Sequence, residues 1–237
     1  MSLEIKPLLN DDFPSLAELY PWPTGFWMRA NFVQSINGKV TDSSRNLYLS
    51  SKKDKSLFRY LRATADCLII GRQTAISQPY KDVKISREYL PLRHTNNSLE
   101  VIIISNSLDF PSGFFADFRH KPFLITNRQA LKKHPEILPL VDPIELGEST
   151  VDMNLLIAEL TSRGFFRVLC EGGPALLTQL VNYDLLDEIN LTISSSPKAF
   201  EEKSLFTNNL MLIKEDDFYF NQVLFDRENL FLRILRK

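Results

Sequence analysis

The chain has little of what marks the commonest special chemistries. Its two cysteines, Cys67 and Cys170, each lie inside an apolar run, so a disulfide framework is unsupported and buried thiols are expected. Its three histidines, His94, His120 and His134, fall in polar segments without ligand spacing, and no metal site is read from them. A formal net charge of −1 removes the electrostatic basis for binding nucleic acid or an acidic membrane surface. No apolar run approaches the roughly 18 residues of a membrane span. The start, Met1-Ser2-Leu3-Glu4-Ile5-Lys6, has neither the basic region nor the apolar core of a signal peptide. A cytoplasmic protein is the expectation. Glycine is scarce too, with 8 in 237 residues, about half the usual share. Four of them, Gly38, Gly71, Gly172 and Gly173, directly follow strand-like runs, which points to use at turns that need them.

What the chain does have is ordinary globular material, 44% apolar and 24% charged, enough to bury a full core. Residues 1–26, punctuated by Pro7, Pro14, Pro21 and Pro23, read as an N-terminal arm with a short helix near Phe13–Tyr20. Strand-like runs follow at Met28–Ile36, Cys67–Ile70, Val101–Ile104, Pro122–Ile125, Arg167–Cys170, Glu188–Ile193 and Leu210–Ile213, with a closing pair at Tyr219–Phe225 and Leu230–Leu235. Helices are expected after Ser51, over Met153–Ser162 and from Pro174. The first has the look of a capping box, with Ser51 as cap and Asp54 reaching back. The segment Lys81–Glu100 reads as a long loop. This order predicts an α/β fold over 27–237: a mostly parallel sheet, helices on both faces, and antiparallel strands at the end.

Three constellations carry candidate chemistry. The run Cys67–Ile70 empties into Gly71-Arg72-Gln73-Thr74, a turn with a cation and a hydroxyl where open α/β sheets place anionic ligands. The run ending at Cys170 empties into Glu171-Gly172-Gly173-Pro174. Two glycines before a helix let backbone N–H groups approach a diphosphate, although the same pattern also describes a plain strand-to-helix turn. Glu171 suits a ribose hydroxyl or the donors of a substrate. Neither turn has the Gly-x-Gly-x-x-Gly or Walker pattern. The third is Asn31-Phe-Val-Gln-Ser35-Ile-Asn37-Gly38, whose alternation places Asn31, Ser35 and Asn37 on one strand face. A polar row on a buried strand either bonds to backbone or lines a ligand cavity.

These segments, with Leu61-Arg62-Ala-Thr-Ala-Asp66 before the first turn and Leu186-Asp187-Glu188-Ile189 closing, resemble the riboflavin-biosynthesis pyrimidine reductases. Those are the RibD C-terminal domains and their stand-alone relatives, built as a dihydrofolate-reductase-like three-layer sandwich. The resemblance implies hydride transfer from NADPH to the ribosylamino side chain of a pyrimidinone 5′-phosphate, as in 5-amino-6-(5-phosphoribosylamino)uracil reductase, and a homodimer. It places NADPH on Gly71, Arg72, Thr74, Ser105, Gly172 and Gly173. It places Asn37, Ser35 and Glu171 in catalytic positions, and Asn31, Ser50 and Arg62 on the substrate, Arg62 at its phosphate. The family usually has aspartate where Asn37 stands, and serine and tryptophan where Asn46 and Tyr48 stand. An amide supplies no proton at neutral pH, so a non-catalytic NADP-binding homologue is the alternative expectation.

Overall fold

A computed structural model describes residues 3–10, 12–40, 49–77, 80–93, 99–196, 204–207 and 217–237. The expected strand at Leu210–Ile213, together with Asn46, Tyr48 and His94, lies outside them. In chain order the elements are β1 (Glu4–Pro7), α1 (Phe13–Leu19), β2 (Trp27–Ser35), α2 (Lys52–Thr64), β3 (Cys67–Gly71), α3 (Arg72–Ser77), β4 (Glu100–Ile104), β5 (Phe123–Thr126), α4 (Arg128–Lys133), β6 (Asp142–Glu145), α5 (Leu156–Ser162), β7 (Arg167–Gly172), α6 (Pro174–Asn182), β8 (Glu188–Ser194), β9 (Phe218–Phe225) and β10 (Asn229–Arg236).

The described strands form one sheet in the order β1-β9-β10-β8-β2-β7-β3-β4-β5-β6. From β8 to β6 every pairing is parallel, and β10 runs antiparallel to both β8 and β9. This is the expected α/β architecture. The central strands are apolar on both faces because both faces are covered: Leu68 and Ile70 pack with α1 and α2, and Cys67 and Ile69 with α5 and α6. Among the described residues no helix is long and apolar enough to cross a membrane.

Several elements differ from the sequence expectation for local reasons. The strand β6, Asp-Pro-Ile-Glu, buries only Ile144 of its four residues, so it carries almost no apolar pattern. Strand β1, Glu-Ile-Lys-Pro, joins the sheet edge beside β9. The first 26 residues also contribute Leu8, Leu16 and Tyr20 to the core. The loop Lys81–Glu100 contains a 3-10 turn at Arg87–Leu92. The helix expected over Met153–Ser162 is split, with a 3-10 turn at Met153–Leu155 before α5. Ser51 caps α2 by accepting the Asp54 N–H at 3.2 Å, but the Asp54 side chain does not reach back to complete the box. It turns inward and is buried.

Candidate active site

The two glycine turns meet at the carboxyl ends of adjacent strands. Ile70 of β3 registers with Gly172 of β7, and α3 begins at Arg72, directly after Gly71. Thr74, one turn into α3, lies against the second turn: a Cβ on Gly173 would stand 2.9 Å from Thr74 Oγ1. A Cβ on Gly172 would meet the Phe32 ring at 3.3 Å, and Gly172 has φ +115°. The peptide between the two glycines is cis. Gly71 is the looser position, its nearest would-be contacts being 3.6–3.7 Å away. Gly172 and Gly173 are therefore demanded by backbone conformation and close approach, and they open directly into the N-terminus of α6. The positive end of the α6 dipole gives this edge the chemistry of an anion cradle.

The remaining cofactor candidates line the same edge. Arg72 Nη1 donates to the Asp109 carbonyl at 2.6 Å, and among the described residues no carboxylate pairs with its guanidinium. Ser105, just past β4, is buried. Its N–H donates to the Ile125 carbonyl at 3.0 Å and its hydroxyl to the Ser107 carbonyl.

Glu171 and Arg62 are brought together, from positions far apart in the chain. Arg62 Nε and Nη2 donate to the two carboxylate oxygens of Glu171 at 2.7 and 2.6 Å, and the Tyr80 hydroxyl donates to Oε2 at 2.8 Å. The guanidinium lies over the Phe58 ring, 4.0 Å from its centroid, and 5.3 Å from that of Tyr80. Burial lowers the Arg62 pKa, but the Glu171 charge and hydrogen bond, together with Tyr80, outweigh it and the net shift is upward. Burial, then the Glu171 charge, pushes the Tyr80 phenol well up. A carboxylate with a bidentate cation and a phenol is strongly held. The cluster thus anchors the residue that leads into Gly172–Gly173. Sequence reasoning missed Tyr80 and Phe58; Tyr80 follows a short helix and carries no local motif.

The third constellation divides. Strand β2 ends at Ser35, and the chain turns at Gly38, whose N–H donates to the Ser35 carbonyl at 2.9 Å. Asn37 is therefore on an exposed turn and does not continue the strand face as the alternation predicted. Its Oδ1 accepts from the Ser35 hydroxyl at 2.5 Å, and Ser35 Oγ accepts the Lys39 N–H at 3.1 Å. Asn31 stays on the strand, half-buried, with its Oδ1 lacking a partner. The Ser50 hydroxyl donates to Asp54, a residue that sequence reasoning read only as part of a cap.

The comparisons with known proteins agree with this arrangement. Residues 26–203 match the family model described as the RibD C-terminal domain. A 2,5-diamino-6-ribosylamino-4(3H)-pyrimidinone 5′-phosphate reductase of Archaeoglobus fulgidus is 25% identical over 167 residues, 68% of this chain and 76% of that protein. The same-named enzyme of Aquifex aeolicus is 26% identical over 168 residues, 66% and 71% of the two chains. A solved pyrimidine reductase-like protein from Corynebacterium diphtheriae superposes with a TM-score of 0.75 at 20% identity, covering 94% of this chain and 98% of that one. These names favour a reductase over a binding-only homologue. The chain belongs to the RibD C-terminal domain family and is a reductase of the RibD type.

Proposed function

We propose that this protein uses NADPH to reduce the ribosylamino side chain of a pyrimidinone 5′-phosphate to the ribitylamino form. The observation that carries the reading is the contact of Thr74 with Gly172–Gly173, which joins both glycine turns into one cradle within a matched reductase domain. The fit to a dinucleotide is steric as well as electrostatic. A side chain at Gly173 would collide with Thr74 Oγ1, so only bare backbone is presented there.

Gly172 and Gly173, with the N-terminus of α6, would hold the diphosphate. Gly71 at the end of β3 and Thr74 on α3 would support it, and Ser105 would lie toward the adenosine end. When bound, the cofactor supplies the hydride, and the protein's part is placement and electrostatics. Asn31 and Ser35 on β2, with Ser50, would line the substrate side. Asn37 holds the Ser35 hydroxyl in place and supplies no proton.

Arg72 is assigned to the 2′-phosphate that separates NADPH from NADH, because among the described residues its guanidinium bonds a carbonyl and no carboxylate. Arg72→Ala is expected to weaken NADPH about tenfold and NADH much less, on the scale of one charge-assisted contact. Titration of both nucleotides by calorimetry reads this directly, and equal losses would remove the assignment. We also infer a homodimer. Exposed Phe220, Phe225 and Leu230 on neighbouring strands β9 and β10 support it, as exposed apolar groups clustered on one sheet face mark association surfaces.

A further inference from the structure

Residues 1–25 precede the segment 26–203 that matches the family, yet three of their groups bond to helix α2. The Leu8 carbonyl accepts from Lys53 Nζ, the Tyr20 carbonyl accepts from the Tyr60 hydroxyl at 3.3 Å, and Trp22 Nε1 donates to Thr64 Oγ1 at 2.9 Å. Lys53 stands in the first turn of α2 and Thr64 is its last residue, so the contacts span about 16 Å of helix. At about 100° per residue, positions 53, 60 and 64 fall within about 40° of one another, and Arg62 lies about 180° from Lys53. The arm therefore runs along one flank of α2, and Arg62 leaves the opposite flank to meet Glu171.

The arm is itself fixed at both ends. Strand β1 pairs with β9, and the Leu8 N–H donates to the Phe225 carbonyl at 2.8 Å. At the other end the Tyr20 and Pro21 carbonyls accept from Arg29, whose guanidinium lies 4.1 Å from the Trp22 ring centroid. Between these ends Leu16 is buried in the core shared with Leu57, Tyr60 and Leu61 of α2. Apolar burial is non-directional, so it holds α2 to the sheet but fixes roll and axial position less sharply than hydrogen bonds do. A bidentate guanidinium–carboxylate pair is the contact that needs both.

Resting on the reductase reading above, we propose that Leu8, Tyr20 and Trp22 form a strap that positions α2, and through Arg62 positions Glu171 and the Gly172–Gly173 turn for NADPH. Trp22, Lys53 and Thr64 are positioning residues: each acts through the helix, and none is assigned to a ligand. Arg62 is the link, because it is the α2 side chain that grips the residue leading into the second glycine turn. Small misplacements of a binding constellation are costly, so slack in the strap is read at the cradle as well as in stability.

The test measures NADPH affinity by calorimetry, kcat and KM for the ribosylamino-pyrimidinone phosphate, and the thermal midpoint in Trp22→Phe, Lys53→Met and Thr64→Val. Each is expected to weaken NADPH about three- to tenfold, the scale of one lost hydrogen bond, and to lower kcat where the variant is fully folded. Thr64→Ser keeps the acceptor and is expected to restore wild-type affinity. Ile137→Val, which trims the core at the 3-10 turn Pro135–Leu140, is expected to lower the midpoint and leave affinity unchanged. In Arg62→Met, or in Glu171→Gln if that variant does not fold, the strap substitutions should weaken NADPH no further, since the link is already cut. Lowered midpoints with unchanged affinity and kcat in all three variants overturn the strap as a positioning element, and so does full additivity with the link variant. Failure of wild type to bind or oxidise NADPH overturns the reductase reading instead. In that case amide hydrogen exchange decides for the strap: exchange at 171–173 that quickens in the strap variants beyond Ile137→Val supports it, and unchanged exchange there overturns it.

Discussion

Replacing Glu188 with alanine is expected to destabilise the protein by about 3–5 kcal/mol, the range for breaking a buried ion pair from one side. Glu188 and Arg29 are both fully buried. Arg29 Nη2 donates to Glu188 Oε2 at 3.0 Å, and Arg233 Nε and Nη2 donate to Oε1 and Oε2 at 3.1 Å each. Arg29 Nε also lies 2.9 Å from Oε1, but its alignment is too poor for a hydrogen bond, so that contact is one of charge. Two guanidiniums thus share one carboxylate, and its removal leaves two buried cations facing each other. The Tyr20 and Pro21 carbonyls, which accept from Arg29 at 3.3 and 2.8 Å, offset only part of that. Burial raises the Glu188 pKa, but Arg29 and Arg233 outweigh it and the net shift is down. A carboxyl with a lowered folded pKa stabilises above its unfolded value, near 4.3, and loses that contribution as pH falls through the folded value. Denaturant unfolding of Glu188→Ala at pH 7 should show the full loss, and the gap from wild type should narrow in acid. A loss under 1 kcal/mol would contradict this account of the cluster.

Arg62→Met is expected to cost about 3 kcal/mol or more for the same reason, since it strands the buried Glu171 carboxylate with Tyr80 alone. It should also weaken NADPH about tenfold or more, because Glu171 leads into the cradle and small misplacements there are costly. In a double-mutant cycle with Glu171→Gln, a large coupling energy in stability is expected. The assignment of Arg62 to a substrate phosphate predicts a different pattern: unchanged stability with a raised KM for the phosphorylated substrate. The bidentate pairing favours the first outcome.

The apolar runs of β3, β4 and β7 were legible because parallel strands covered on both faces read as continuous hydrophobic segments. Strand β8 was legible from the alternation of Ile189, Leu191 and Ile193 with polar residues. The cap at Ser51, the start of α6 at Pro174 and both glycine turns were legible because they rest on local backbone chemistry. What stayed hidden depends on partners distant in the chain. Tyr80 acquires its role from a residue 91 positions away, and Arg29 from one 159 positions away. Asp54 fits a cap pattern in sequence, yet packing turned its side chain toward β8. Asn37 fits the strand alternation, yet the turn at Gly38, with φ +76°, ends the strand first. Strands β1 and β6 lie at the sheet's two edges, where polar residues and proline are tolerated and the apolar signal fades.

The central claim is that the joined glycine turns bind NADPH for reduction of a ribosylamino-pyrimidinone phosphate. Its most direct test is calorimetric titration of the purified protein with NADPH and NADH, followed by addition of that substrate while nicotinamide absorbance is recorded. The account predicts saturable binding that favours NADPH, then loss of reduced-nicotinamide absorbance on addition of substrate. Absence of binding by either nucleotide would contradict it outright, and binding without oxidation would contradict the assigned reaction.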